Sequence, residues 1–388
     1  MSKQKSWRPM IKQARRVVIK IGTRVLTNPG GKLDPKSFSR IAGQIAELWQ
    51  GGRKVVVVSS GAIATGRKKL ARDRAPLTIP EKQALAALGQ PALMRSYEQA
   101  FRRYSLPVAQ ILLTHEDFSS RERYLYCRNT LATLLHFGVL PVINENDTVA
   151  VDEIKFGDND TLSALVAVLF EADLLVLLSD IQGLCEEDPS INPDARLIPL
   201  VRDLSQEIYE YAGPTRSELG IGGMSTKIQA ARTVAAAGIP TFIGNGKTPD
   251  MLLRLFEGKI QGTLFLPGAR KLKHRKHWIA FVQKPRGEII VDDGARHALV
   301  KGKKSLLPSG VVSVNGRFEP GDAVKVQDPS GHELGVGLVR YSRSELERIK
   351  GKKTSEVQKI LGDKYYQEVI HRDDLVLMDE VENLGKAR

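Results

Sequence analysis

Pro141-Val142-Ile143-Asn144-Glu145-Asn146-Asp147, followed shortly by Gly157-Asp158-Asn159-Asp160, is the stretch on which the fold turns. The apolar residues read as a short buried strand, yet it empties into amides and carboxylates for which packing offers no reason. Open, mainly parallel sheets bind ligands beyond the carboxyl ends of their strands. The two polar clusters therefore read as one half of a site that holds a small polar ligand by hydrogen bonds. The alternative is a pair of Asx-rich turns. The second cluster opens an apolar helical stretch, so strand, polar loop and helix follow one another, as in layered α/β domains.

Working outward, short apolar runs at 17–21, 55–58, 110–113, 140–143, 174–178 and 241–243 lack strict alternation, as expected for strands covered on both faces. Helical patterns at 38–50, 81–104, 124–137, 160–171 and 225–237 lie between them, and Gly51-Gly52, Gly138 and Gly238 are the expected stops. This order predicts a three-layer αβα sandwich with a mainly parallel sheet over 1–266, of which 1–14 form a basic tail. A charged, breaker-rich stretch at 267–276 reads as a linker. Beyond it the grammar changes to short strands at 288–291, 310–314, 323–327 and 334–341 with turns such as Asn315-Gly316 and Pro320-Gly321-Asp322. With helical patterns at 295–302 and 343–350, residues 277–388 predict a small, curved, β-barrel-like domain with a C-terminal extension.

The 388 residues suit two domains, and 42% hydrophobic with 26% charged residues is the composition of a globular protein. No apolar run approaches the roughly 20 residues that span a bilayer, and the basic N-terminus lacks the apolar centre of a secretory signal. The two cysteines, Cys127 and Cys185, have no partners at metal-ligand spacing, which fits a reducing cytoplasm and packed thiols. The net charge of +14 sits in residues 1–24 and 270–276, while 25–266 and 277–388 are each close to neutral. A nucleic-acid footprint needs its basic residues on one face, so the charge argues against RNA as a partner.

Four strand ends carry residues suited to chemistry. Lys20 interrupts Val17-Val18-Ile19-Lys20-Ile21 and precedes Gly22-Thr23. A lysine in a buried strand is costly unless it meets an anion, though it can also snorkel to water. Ser59-Ser60-Gly61-Ala62-Ile63-Ala64-Thr65-Gly66 follows the run 55–58 and leads into a helix, so its free N–H groups can hold an anion or merely cap. Gly220-Ile221-Gly222-Gly223-Met224-Ser225-Thr226-Lys227 places three glycines, two hydroxyls and a lysine before a helix, a nest suited to nucleotide phosphates. Ser179-Asp180 ends the run 174–178, where Asp180 can meet a ribose or base donor or simply close a turn. Neither the P-loop nor the dinucleotide fingerprint occurs. Two lysines beside clustered amides and acids suggest phosphoryl transfer from a nucleotide to a small acid.

The stretches 17–23, 55–66, 141–147, 156–165 and 222–227, in that order, resemble the amino-acid kinase family, in the branch that phosphorylates the side-chain carboxylate of L-glutamate. Asn144-Glu145-Asn146-Asp147 followed by Gly157-Asp158-Asn159-Asp160 separates that branch from aspartokinases, carbamate kinases and acetylglutamate kinases. Glu288-Ile289-Ile290-Val291-Asp292-Asp293-Gly294-Ala295 with Ser305-Leu306-Leu307-Pro308 is similar to the PUA domain that many members carry.

The resemblance implies roles residue by residue. Lys20 and Lys227 would lie against the transferred phosphoryl, with Asp160 orienting both; Ser60, Asp147 and Asn159 would bind glutamate. Lys20, Ser179, Asp180, Ile221, Gly222, Gly223, Met224, Ser225, Thr226 and Lys227 would form the ATP site. Mg²⁺ would bridge phosphates, with no residue assigned as a metal ligand. Two departures fall at the nucleotide pocket: Ile221 stands where threonine is usual, and Cys185 where an aromatic is common. The resemblance further implies the first step of proline biosynthesis, feedback inhibition by proline, hand-over to a glutamyl-phosphate reductase, and a homo-oligomer, tetramer or dimer. The competing class is an RNA-binding protein, because PUA domains resemble modules of tRNA-modifying enzymes. The near-neutral balance of 277–388 and the lack of a stacking-aromatic array weigh against it.

Overall fold

The computed structural model describes residues 7–70, 77–150, 159–189, 191–192, 194–202, 204, 208, 223–268, 272–362 and 366–382. The chain divides into two compact units, 1–269 (with 387–388) and 270–386.

The first unit is built on eight strands: β1 (Arg16–Ile21), β2 (Lys54–Ser59), β3 (Val108–Leu113), β4 (Leu140–Glu145), β5 (Leu174–Ser179), β6 (Leu200–Val201), β7 (Thr241–Asn245) and β8 (Gly262–Phe265). They lie in the order β3-β4-β2-β1-β5-β7-β8-β6. Every neighbouring pair from β3 to β7 is parallel, and the sheet turns antiparallel at β7–β8. All six strands expected from sequence are present. The short β6 and β8 escaped because two and four residues give no usable apolar pattern.

Alternation along β1 divides the domain into its layers. Val17, Ile19 and Ile21 join a core with Phe38, Ile41 and Ile45 of the helix Pro35–Gln50, Leu93, Tyr97 and Phe101 of the helix Ile79–Arg102, and Leu252 and Leu255 of the helix Met251–Phe256. Successive strand residues point to opposite faces, so Val18 and Lys20 face the other layer. There the helices Asn159–Leu169 and Met224–Ala236 pack on β5 and on each other. The lysine is thus a consequence of register: one residue earlier or later it would sit in the aliphatic core.

Local chemistry sets the helix limits. Asp34 caps Pro35–Gln50 by accepting from the N–H groups of Lys36 and Ser37, and Thr78 with Glu81 forms a capping box on Ile79–Arg102. The expected basic tail is not all tail, since Trp7–Gln13 is helical and Ile11 is fully buried.

The second unit holds a five-stranded sheet, β9 (Gly287–Val291), β10 (Val311–Gly316), β11 (Ala323–Gln327), β12 (Glu333–Leu338) and β13 (Leu375–Leu377), in the order β10-β9-β11-β12-β13. Only the β9–β11 pair is parallel. The core comprises Ile289, Val291, Val324, Val326, Leu346 and Ile370 among others. Part of the stretch read as a linker is helix, His274–Phe281, packed on β12 and β13. Its Arg275 pairs with Asp374, and Lys276 meets Glu380 at 2.7 Å. Those charges are therefore matched by acids of the same unit.

Candidate active site

Parallel register brings the carboxyl ends of four strands to one edge. Lys20 lies beside Val58 of β2 and Leu177 of β5, and Val58 in turn beside Ile143 of β4. Ser59-Ser60, Asn144-Glu145 and Ser179-Asp180 therefore leave the sheet on the same side as Lys20. The loop after β2 is pinned to β1 by the Ser60 N–H, which donates to the Ile21 carbonyl at 3.2 Å. Gly61, at φ +113°, makes the turn into the helix Ala62–Lys69 in a conformation that side-chain-bearing residues rarely adopt.

At the start of the helix Asn159–Leu169, two adjacent residues serve two unlike clusters. Asp160 is fully buried and receives both lysines. Lys20 Nζ is 2.6 Å from Oδ1, and Lys227 Nζ is 2.9 Å from Oδ2. Thr226 Oγ1 donates to Oδ2 as well, at 3.0 Å, and also to the Gly223 carbonyl. Lys20 and Lys227 are 7% and 3% exposed, so this charge cluster sits largely out of water. Burial works to raise the Asp160 carboxyl, but the ammonium groups of Lys20 and Lys227 outweigh it and hold it well below the usual carboxylate range. Two ammonium groups and one carboxylate sum to a net positive charge, which suits an arriving anion.

Asn159 looks the other way chemically. Its Nδ2 has two hydrogens and three acceptors within reach, the Ser59 carbonyl at 2.8 Å, Ser60 Oγ at 3.0 Å and Asn144 Oδ1 at 3.0 Å. Asn144 Nδ2 donates onward to Gln90 Oε1 at 2.8 Å. Asp147, half-buried past the end of β4, has its carboxyl pushed up to about 6 by burial. Beneath the loop, Ser59 Oγ and the fully buried Tyr97 hydroxyl share a 2.9 Å hydrogen bond.

Beyond β5, Ser179 Oγ donates to Asp180 Oδ1 at 3.2 Å, and Arg24 pairs with Asp180 Oδ2 at 3.0 Å. Burial works to raise the Asp180 carboxyl, but hydrogen bonds from Arg24 and the backbone bring it below its ordinary value. Met224, Ser225, Thr226 and Lys227 form the first turn of their helix, with Gly223 as a cap that offers no side chain. Its leading N–H groups have no capping side chain, the arrangement that receives phosphate oxygens. Ile221, Gly222, Gly157 and Asp158 lie outside the described residues.

Sequence reasoning missed Gln90, Tyr97 and Arg24. The signal for Gln90 was present: it shares a helical stripe with Ala86, Leu93 and Tyr97, where a polar side chain needs a partner.

The sequence signature of the Amino acid kinase family matches residues 15–245, which contain the sheet edge and both clusters. The chain belongs to the amino acid kinase family. The PUA domain signature matches residues 287–361, within the second unit. Among relatives, a protein named glutamate 5-kinase from Geobacter sulfurreducens is 53% identical over 369 residues, 95% of this chain and 99% of that one. Glutamate 5-kinase of Trichlorobacter lovleyi is 52% identical over 96% of this chain and 99% of its own. Glutamate 5-kinase of Caldanaerobacter subterraneus subsp. tengcongensis is 50% identical over 95% of this chain and 100% of its own. An amino acid kinase domain followed by a PUA domain is the architecture expected from the sequence motifs.

Proposed function

We propose that the first unit transfers the γ-phosphoryl group of ATP to the side-chain carboxylate of L-glutamate, giving L-glutamyl 5-phosphate and ADP, the first step of proline biosynthesis. One observation carries the reading: two buried lysines, far apart in sequence, meet one carboxylate beside a chain of amides. The names of the relatives, at half or more of all residues identical over nearly the whole chain, supply the substrate.

The nucleophile is a carboxylate with a reference pKa of about 4.3, ionised at neutral pH, so no general base is required. Catalysis then consists of holding two anions in line and neutralising the charge that moves between them. In this reading Lys20 stabilises the phosphoryl in flight, Lys227 holds the nucleotide phosphates, and Asp160 keeps both ammonium groups in place. Ser60, Asn159 and Asp147 bind glutamate, the ionised Asp147 facing its ammonium group. Ser179, Asp180, Ile221, Gly222, Gly223, Met224, Ser225 and Thr226 line the ATP site.

Mg²⁺ would supply charge neutralisation for the nucleotide's phosphates. Among the described residues no group of three or more His, Cys, Asp or Glu is placed to hold a metal. The acyl phosphate product hydrolyses readily, which favours hand-over to a reductase. Competition by L-proline at the glutamate site, a dimeric or tetrameric assembly and a cytoplasmic location complete the proposal. Among the described residues no helix is long and apolar enough to cross a membrane.

A coupled ADP-release assay tests the reaction. Glutamate-dependent ADP release, with hydroxylamine trapping the product as a hydroxamate, is expected. ATP turnover indifferent to glutamate, or no trapped hydroxamate, overturns the reading. Tight RNA binding by the full chain in a gel shift at physiological salt would revive the competing class.

A further inference from the structure

The amide chain has an end that none of the assigned residues explains. Gln90 is 8% exposed, and its Oε1 accepts from Asn144 Nδ2 while Asn144 Oδ1 accepts from Asn159 Nδ2. The three amides thus run in one direction, each passing an N–H to the next. An amide has nearly the same shape in its two flipped orientations, so hydrogen bonds alone choose between them. The Ser59 carbonyl selects the orientation of Asn159, and Gln90 Oε1 selects that of Asn144. With Asn144 turned over, two NH₂ groups would meet.

The ends of the chain are informative. Asn159 Oδ1 and Gln90 Nε2 are buried and have no hydrogen-bond partner among the described residues. A buried polar atom without a partner is costly and calls for a ligand or water. An open acceptor and an open donor are the complements of an amino acid's ammonium and carboxylate groups.

The residue next to Gln90 explains why the helix can act as a gauge. A Cβ on Gly89 would stand 1.9 Å from the Ala62 carbonyl oxygen and 2.6 Å from the Gly66 nitrogen, and one on Gly66 would stand 1.9 Å from the Leu85 carbonyl. Backbone meets backbone at this crossing, just after Ser60-Gly61. Two successive residues of one helix therefore meet both sides of the pocket: Gly89 packs against the start of the helix Ala62–Lys69 that follows β2, and Gln90 holds Asn144 near the end of β4.

We propose that Gln90 is a positioning residue for the amino-acid substrate: it locks Asn144 with Oδ1 toward Asn159 Nδ2, so that Asn144 and the Ser59 carbonyl together hold Asn159 Oδ1 as the acceptor for the substrate's ammonium group. This rests on the reading of the pocket as a glutamate site. The test is steady-state kinetics of Gln90→Met, which keeps volume and loses both the Oε1 acceptor and the Nε2 donor, beside Leu93→Ala, a core truncation one turn along the same helix. Gln90→Met is expected to raise the KM for glutamate by about tenfold, the loss of roughly one well-made buried hydrogen bond. Its kcat and its KM for ATP should stay within about twofold of wild type. Leu93→Ala should lower Tm by more than Gln90→Met yet leave the glutamate KM alone.

A glutamate KM within twofold of wild type in Gln90→Met overturns the proposal. Equal rises in both KM values, or a glutamate KM that tracks Tm across the two variants, would assign Gln90 a purely structural part and overturn it as well. The failures are separable: a wild-type enzyme without glutamate-dependent ADP release removes the substrate reading, whereas normal wild-type turnover with an unmoved Gln90→Met removes only the role of Gln90.

Discussion

Two clusters that begin at neighbouring residues are built from opposite materials. Around Asp160 the groups are charged, almost fully buried, and tied together by ion pairs of 2.6 and 2.9 Å. Around Asn159 they are neutral amides and hydroxyls at 2.8 to 3.0 Å. Charges suit the end of the pocket where charge moves, because fixed ammonium groups in a dry site stabilise a developing anion without reorganising. Amides suit the end where an amino acid must be gripped in one orientation and released again, since their directionality selects without holding strongly. If this division is right, damage to the charged cluster appears in kcat and damage to the amide cluster in KM.

The largest effect is expected from Lys20→Ala or Lys227→Ala. Each should lower kcat by about a thousandfold, the scale of removing a fixed charge donor from a transition state. The far-ultraviolet circular dichroism should stay native. Near-wild-type turnover in a well-folded Lys20→Ala protein breaks the comparison at its charged end. Asp160→Asn comes next, because it leaves two buried ammonium groups facing a neutral amide. A loss of about 3 kcal/mol in denaturant unfolding is expected. Unchanged stability would mean that the carboxylate does not hold the lysines.

Asp147 sharpens the amide end through pH. Its carboxyl is raised by burial to about 6, above its unfolded value. The folded state therefore binds its proton more tightly, and that contribution to stability is full below about 3.8 and lost as pH rises through about 6. Binding of an ammonium group should move the opposite way. The KM for glutamate should fall as pH rises from 5 to 7 in wild type, and Asp147→Asn should flatten that profile while raising KM by about tenfold. A pH-independent wild-type KM over this range would remove Asp147 from the substrate's ammonium. The smallest effect, Asp34→Ala, is a control whose side chain accepts from Lys36 and Ser37 of its own helix. It deletes the cap of the helix Pro35–Gln50 and should cost about 1 kcal/mol of stability, with kcat and KM unchanged.

Much of this is legible in the sequence itself. The strands announced themselves because buried parallel strands are continuous aliphatic runs, and Lys20 stood out because it broke one. Asn159 and Asp160 were legible as polar residues opening an apolar helix. The partners of Gln90 and Arg24 were not, since they lie 54 and 156 residues away and nothing local encodes such a meeting. The segment Trp7–Gln13 reads as tail in the sequence because its basic residues mask a single buried anchor, Ile11. Arg275 and Lys276 read as part of a charged linker because their acids lie about a hundred residues downstream.

The amino-acid order alone determined the layered class, the run of strands and helices, and the residue types brought to the strand ends, because hydrophobic period and glycine stops act over a few neighbouring residues. The tertiary structure alone decided that Lys20 and Lys227 share one carboxylate, and that the amides from β4, the helix Asn159–Leu169 and the helix Ile79–Arg102 form a single directed chain. Strand order and register set those distances, and both follow from how whole layers pack, which no short stretch of sequence records.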